Sequence, residues 1–291
     1  MEFRPGTFRW SRAKSLQAEF WQEPLGRKYK CQAEGDGKMA DLYDRADIYD
    51  LFDNEERFQA YKKHWERVLS GRDIRSVLDV SIGSGNVTLP LAELGVELCG
   101  SDLSGSMLEN CSKKARKRGF SIELKCSDFR DLSCWERRRF DCVASTGNSL
   151  PHVENEELLT ALEQMDALVQ EGGYLYFDIR NWDRILQERN RFFVYNPMFD
   201  GDTRINLVQV WDYHDDRAMT FHLLYTFEKE NRIFRKETFE EEYYPVKREM
   251  LLSKLRELGY GEIEILCFPA FFEDVDTDMV EWYCVVARKG R

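Results

Sequence analysis

The ten residues from Val77 to Asn86, VLDVSIGSGN, constrain this chain more than any other stretch. An apolar strand runs into a turn with two close glycines and then into helical text, a junction typical of open α/β sheets that hold a ligand. Gly83 and Gly85 let the backbone turn tightly and approach a bound molecule, and a loop that opens a helix turns backbone N–H groups toward it. Two glycines do not name that molecule, but their neighbours narrow it. A dinucleotide loop needs a third glycine near Thr88 for close helix–sheet packing. Asp79, at the strand end, is a poor neighbour for a pyrophosphate and a good one for an ammonium group.

Around this loop, apolar runs alternate with helical stretches. The pattern predicts strands at 76–80, 96–102, 121–126, 140–145 and 174–179, with helices at about 86–94, 104–118, 129–135 and 155–169. Helical text also begins at Asp41, and Phe58, Tyr61, Trp65 and Leu69 recur at helical spacing ahead of the first strand. This is an α/β grammar: a Rossmann-like doubly wound sheet with helices on both faces. After Asn181 a short helix leads into INLVQVWDY, AMTFHLLYTFEK and IFRKETFEEEYYP, an antiparallel β meander inserted at 181–245 as a lid. A helix stopped by Gly259 and two closing strands return to the first sheet. Residues 1–40 are a basic, aromatic N-terminal extension, and 41–291 form one domain.

Two acids downstream define the ligand. Asp102 ends the next strand about 20 residues past the loop, where a carboxylate accepts both ribose hydroxyls. Asp128 and Phe129 follow the third strand and pair an acceptor for an exocyclic amine with a ring that covers a base. Adenine, ribose and a phosphate-free amino-acid tail together make S-adenosylmethionine.

Residues 75–180 resemble the class I S-adenosylmethionine-dependent methyltransferases, whose loop reads acid-x-Gly-x-Gly-x-Gly; here Ser81 stands at the first glycine. The resemblance implies that Gly83 and Gly85 pass under the cofactor. It puts Asp79 near the cofactor's amino group, with the Ser81 hydroxyl at the methionine end. It also assigns Asp102 to the ribose, Asp128 and Phe129 to the adenine, and adds Leu103 and Thr146 to the pocket.

A narrower resemblance runs from about Tyr43 to the C-terminus. TGNSLPHV (146–153), FDIRNWDRIL (177–186) and Tyr-Tyr-Pro at 243–245 are similar to stretches of the glycine N-methyltransferase group, which includes glycine and sarcosine methyltransferases. Arg180 follows a strand at the carboxyl edge of the sheet, where its guanidinium offers two parallel donors to a carboxylate; the rival reading is a surface ion pair with Asp183. Asn148, Tyr195 and Tyr225 join it as substrate-binding residues by the group pattern, and Arg57 takes the cofactor's carboxylate. Either Tyr43 or Tyr49 stands near the methyl group. Tyr43, Tyr49, Asn148, Arg180 and Tyr225 thus make the expected catalytic set. His152 is weighed against solvent as the proton acceptor and reads better as structural, as do Tyr243 and Tyr244.

Composition sets the remaining expectations. A formal net charge of -11 opposes nucleic-acid or anionic-membrane partners, and neither a spanning run nor a signal peptide is visible, so a cytoplasmic protein is expected. The eight cysteines and four histidines lack metal-ligand spacing, so they are read as structural and no metal is expected. The partner is a small-molecule amine or amino acid, and the glycine group carries a homo-oligomer as a further expectation. Two other readings stay open: methylation of a different small molecule at N, O or C, and a cofactor-binding protein without turnover.

Overall fold

The computed structural model describes residues 42–214, 217–270 and 275–290; the extension at 1–40 and Cys31 lie outside them. In chain order the first elements are α1 (Ala46–Tyr49), α2 (Glu55–Leu69), β1 (Ser76–Asp79), α3 (Pro90–Glu93), β2 (Glu97–Asp102), α4 (Gly105–Lys117) and β3 (Glu123–Cys126). β4 (Phe140–Ser145), α5 (Asn155–Leu168), β5 (Val169–Arg180) and α6 (Trp182–Glu188) follow. Five strands come next: β6 (Phe192–Val194), β7 (Met198–Asp200), β8 (Thr203–Tyr213), β9 (Met219–Lys229) and β10 (Arg232–Tyr243). α7 (Arg248–Glu257), β11 (Tyr260–Cys267) and β12 (Trp282–Lys289) close the chain.

Seven strands form the main sheet in the order β11-β12-β5-β4-β1-β2-β3. β1 to β5 are mutually parallel where they pair, and β12 runs antiparallel to β5 and β11. Alternation along β1 divides the core: Val77 packs with Cys142, Tyr176 and Cys284 under α2 and α4, while Leu78 packs with Val143, Phe177 and Val285 under α5 and α7. Each large side chain fully buried this way contributes roughly 1.5–3 kcal/mol, so both faces must be covered for the sheet to persist. α2 shows how the sequence builds its cover. Asn54 caps it by accepting from Arg57 N, and Phe58, Tyr61, His64, Trp65 and Val68 form one buried stripe.

The second sheet has the order β10-β9-β8-β6, with β7 paired to β8. The three long strands match the expected meander, whereas the short β6 and β7 were not visible in the sequence. Three helical expectations change. From Leu42 on, the helical text forms the 3-10 turn Leu42–Asp44 and then α1, which runs on into the 3-10 turn Asp50–Phe52, and 129–135 holds only the 3-10 turn Ser133–Trp135. After the glycine loop the chain makes turns and becomes helical only at α3, where Pro90, which has no N–H to offer, fits a first helical position. A four-residue helix carries little macrodipole, and the loop's N–H groups at Ser81, Ile82, Gly83 and Gly85 are donated within the protein. Strand order reverses between β1 and β4, which places the ligand crevice at their carboxyl ends. Among the described residues no helix is long and apolar enough to cross a membrane.

Candidate active site

The glycine loop is held from below. Asp79 is fully buried and accepts from Thr88 Oγ1 at 3.0 Å, Thr146 Oγ1 at 2.7 Å and Ser81 N at 3.1 Å. Burial pushes its carboxyl up to about 6 against those stabilising bonds. The expectation that Asp79 meets a ligand directly is therefore corrected: it lies beneath the loop and fixes it. The same holds for Ser81, whose hydroxyl accepts from Thr146 N at 3.0 Å and lies 2.9 Å from Ser145 Oγ and 3.2 Å from the Thr146 carbonyl. A serine at this position stitches the end of β1 to the end of β4. Thr146, buried, completes that stitch by its bond to Asp79.

Gly85 has φ +82°, and a Cβ there would stand 2.7 Å from Leu89 Cγ and 2.8 Å from Cys111 Sγ. Gly83 has φ +55° with open space where its Cβ would be. Gly85→Ala is expected to combine left-handed strain with overpacking, about 2–4 kcal/mol together, and to lower the urea midpoint accordingly. Gly83→Ala, with strain alone, is expected to cost about 1 kcal/mol.

On the nucleoside side, Asp102 accepts from Gly83 N and Ser104 N, each at 2.9 Å, and burial raises its carboxyl despite them. Leu103 beside it is 45% exposed, an apolar shelf at the mouth of the crevice. Phe129 is largely buried in the core and Asp128 is chelated by Arg130 Nε at 3.0 Å, so this pair is built more into the fold than the sequence suggested. Arg57 is exposed at the first turn of α2, with Nε and Nη2 on the Tyr61 hydroxyl at 3.1 and 3.0 Å. Asp102, Leu103 and Arg57 are the residues that would hold the ribose, base and carboxylate of S-adenosylmethionine, while Lys114 reaches the loop at Ser84 Oγ, 3.3 Å away, and at Asn86.

The opposite wall is built by β4 and β5. Gly147 and Asn148 both take positive φ, 76° and 60°, and Asp178 on β5 holds this turn by accepting from Gly147 N at 3.0 and 3.2 Å and from Asn148 N. Asn148 Oδ1 in turn accepts from Arg180 N at 2.9 Å. Its Nδ2 is buried with no partner, a donor in need of an acceptor. The Arg180 guanidinium lies over three rings, 4.8 Å from the Trp282 centroid, 5.4 Å from Trp211 and 5.6 Å from Phe221. Among the described residues no carboxylate stands within ion-pair distance of it. Asp183, the rival partner, instead accepts from Arg248 N at 2.9 Å.

The two candidate tyrosines differ. The Tyr43 hydroxyl lies 2.8 Å from His152 Nε2 and also bonds Tyr243. The Tyr49 hydroxyl stands 3.9 Å from where a Gly147 Cβ would be, over the β4 turn. His152 is pushed down to about 4 by burial and stays neutral as a support for Tyr43. Tyr195 and Tyr225 come together at the second sheet, near enough for Tyr195 to add to the burial that pushes the Tyr225 phenol up, and Tyr243 joins them there.

Three participants were missed. Asp178 read as one more buried strand residue; its carboxyl is pushed up to about 8 by burial and by Asp79. Tyr243 packs between Trp182, His152 and Phe221 with its hydroxyl in the tyrosine cluster. Asp50 accepts from Ser84 Oγ at 2.6 Å, from Asn86 Nδ2 at 2.9 Å and from Asn110, which clasps the segment before α2 to the glycine loop.

Asp178 gives a pH signature. Its native pKa exceeds the ordinary carboxyl value of about 3.9, so the folded state binds more protons than the unfolded one and stability falls as pH rises toward 8. Chemical denaturation at pH 7 and 8.5 is expected to show a loss of about 1 kcal/mol that Asp178→Asn abolishes.

The sequence model of the methyltransferase domain family matches residues 77–173, the strands and turns that build this crevice. Residues 77–173 are thus similar to a methyltransferase domain. A glycine/sarcosine N-methyltransferase from Parasynechococcus marenigrum (strain WH8102) is 31% identical over 175 residues, 59% of this chain and 62% of that protein. A glycine/sarcosine/dimethylglycine N-methyltransferase from Actinopolyspora halophila is 26% identical over 243 residues, 83% of this chain and 40% of that protein. The chain thus spans less than two thirds of each of these two relatives. An S-adenosylmethionine-dependent methyltransferase from Clostridium acetobutylicum ATCC 824 superposes with a TM-score of 0.68 at 19% identity, over 84% of this chain and 98% of that one. The methyltransferase domain resembles the glycine/sarcosine group in sequence and shares the wider fold.

Proposed function

We propose that the protein methylates the amine of a small amino acid such as glycine or sarcosine. The observation that carries this is Arg180: a guanidinium at the carboxyl end of β5, enclosed by Trp211, Phe221 and Trp282 and, among the described residues, without a carboxylate partner. Its geometry suits a substrate carboxylate, and the unpartnered Nδ2 of Asn148 supplies a further donor at the same wall. The names of the relatives at 26–31% identity support the same substrate class.

S-adenosylmethionine supplies an activated methyl group when bound. The chain's own residues align and enclose the acceptor. Asp178 sets the Gly147–Asn148 turn, Asn148 and Arg180 hold the carboxylate end, and Tyr49 covers the amine end beside Gly147. Tyr195, Tyr225 and Tyr243 on the second sheet act as a lid that excludes water. No covalent protein intermediate is required.

Purified protein given methyl-labelled S-adenosylmethionine and a panel of acceptors tests the reading. Label is expected in N-methylated glycine or sarcosine. Transfer confined to amines without a carboxylate, or to hydroxyl groups, would overturn it.

A further inference from the structure

We propose that Tyr61 is a positioning residue for the cofactor: its hydroxyl holds one edge of the Arg57 guanidinium and leaves another edge to the methionine carboxylate of S-adenosylmethionine. The inference rests on the reading of Arg57 as the cofactor's carboxylate anchor, and it adds a residue that helical spacing assigns simply to the buried stripe of α2.

The four-residue spacing puts Arg57 and Tyr61 on one face of α2, and Asn54 fixes the first turn by accepting from Arg57 N at 2.8 Å. The Tyr61 ring is buried and stacks on Phe268, with centroids 5.8 Å apart and planes 27° from parallel, so its hydroxyl has a rigid mount. That hydroxyl accepts from Arg57 Nε at 3.1 Å and from Nη2 at 3.0 Å, the two nitrogens of the guanidinium's side edge. The end edge, between Nη1 and Nη2, is the second fork that a carboxylate can span. Nη1 has no acceptor among the described residues, so this fork stays open to a ligand.

The chemistry of the partner matters. A carboxylate in place of the phenol would cancel the charge of Arg57, whereas a neutral hydroxyl orients the guanidinium and leaves its charge for a ligand. Burial, with Asp178 and Asp53, pushes the Tyr61 phenol up against the pull of Arg57, so it stays protonated at neutral pH. The pair also borders the crevice. Tyr49, whose hydroxyl stands over the Gly147 turn, is raised by burial and feels the charges of Asp102, Tyr61 and Arg57 as well.

Calorimetric binding of two nucleosides tests this without turnover: S-adenosylhomocysteine carries the amino-acid tail, and methylthioadenosine lacks it. Tyr61→Phe keeps the ring on Phe268 and removes only the oxygen. It is expected to weaken S-adenosylhomocysteine about five- to thirtyfold while methylthioadenosine stays within about twofold. Arg57→Ala should weaken S-adenosylhomocysteine at least as much, and the double variant should bind it no worse than Arg57→Ala alone, because Tyr61 acts through Arg57. Unchanged S-adenosylhomocysteine affinity in Tyr61→Phe would overturn the inference and leave the reading of Arg57 standing. A parallel loss of methylthioadenosine, or an additive loss in the double variant, would overturn it too, since Tyr61 would then shape the pocket at large. An Arg57→Ala variant that binds S-adenosylhomocysteine like the wild type sinks the underlying reading of Arg57 itself.

Discussion

Arg180→Ala should lower kcat/KM for glycine by about 100- to 10,000-fold, the loss of two charge-assisted hydrogen bonds of roughly 1.5–3 kcal/mol each. The change should appear mainly in KM, because the carboxylate is bound in the ground state and the transition state alike. Cofactor affinity should hold, since Arg180 lies on β5, apart from the β1 and β2 ends proposed to meet the nucleoside. Arg180→Lys keeps the charge and loses the planar fork, so it should recover only part of the effect. Steady-state kinetics with glycine and cofactor varied in turn checks all three outcomes.

Asn148→Asp is the second variant with a large expected effect. The aspartate keeps an oxygen to accept from Arg180 N, so the β5 terminus should stay in place. It replaces the buried Nδ2 donor with a negative charge beside the expected carboxylate. Repulsion adds to the lost hydrogen bond, and a fall in kcat/KM of about 1,000-fold or more is expected, roughly 4 kcal/mol. Asn148→Ala should lose less in glycine turnover, although it also leaves Arg180 N without its acceptor. If the two variants were equally active, Nδ2 would have no part in binding a carboxylate.

What was legible in the sequence is what local spacing encodes. The strand, Gly83, Gly85 and the acids Asp79 and Asp102 follow from one strand-turn-strand repeat, and the doubly wound order follows from the alternation around it. The place of Arg180 at the carboxyl end of β5 was legible too, from the apolar run that precedes it. The misreadings share a different cause: they turn on contacts between segments distant in sequence. Whether Asp79 and Ser81 face a ligand or the fold depends on Thr146 and Ser145, more than sixty residues away. Asp178 gains its role from Gly147, which no hydropathy pattern shows. Arg130 chelates Asp128 two residues away, a local competition for the carboxylate that residue type alone leaves open. The helix expected at 86–94 shrank to α3 because the loop needs turns up to Leu89 before Pro90 can start it.

The most direct test compares two acceptors in one assay: kcat/KM for glycine and for ethanolamine, an amine of similar size with a hydroxyl in place of the carboxylate. A carboxylate receptor at Arg180 and Asn148 predicts a preference for glycine of about a hundredfold or more. A ratio near one, or a preference for ethanolamine, would contradict it.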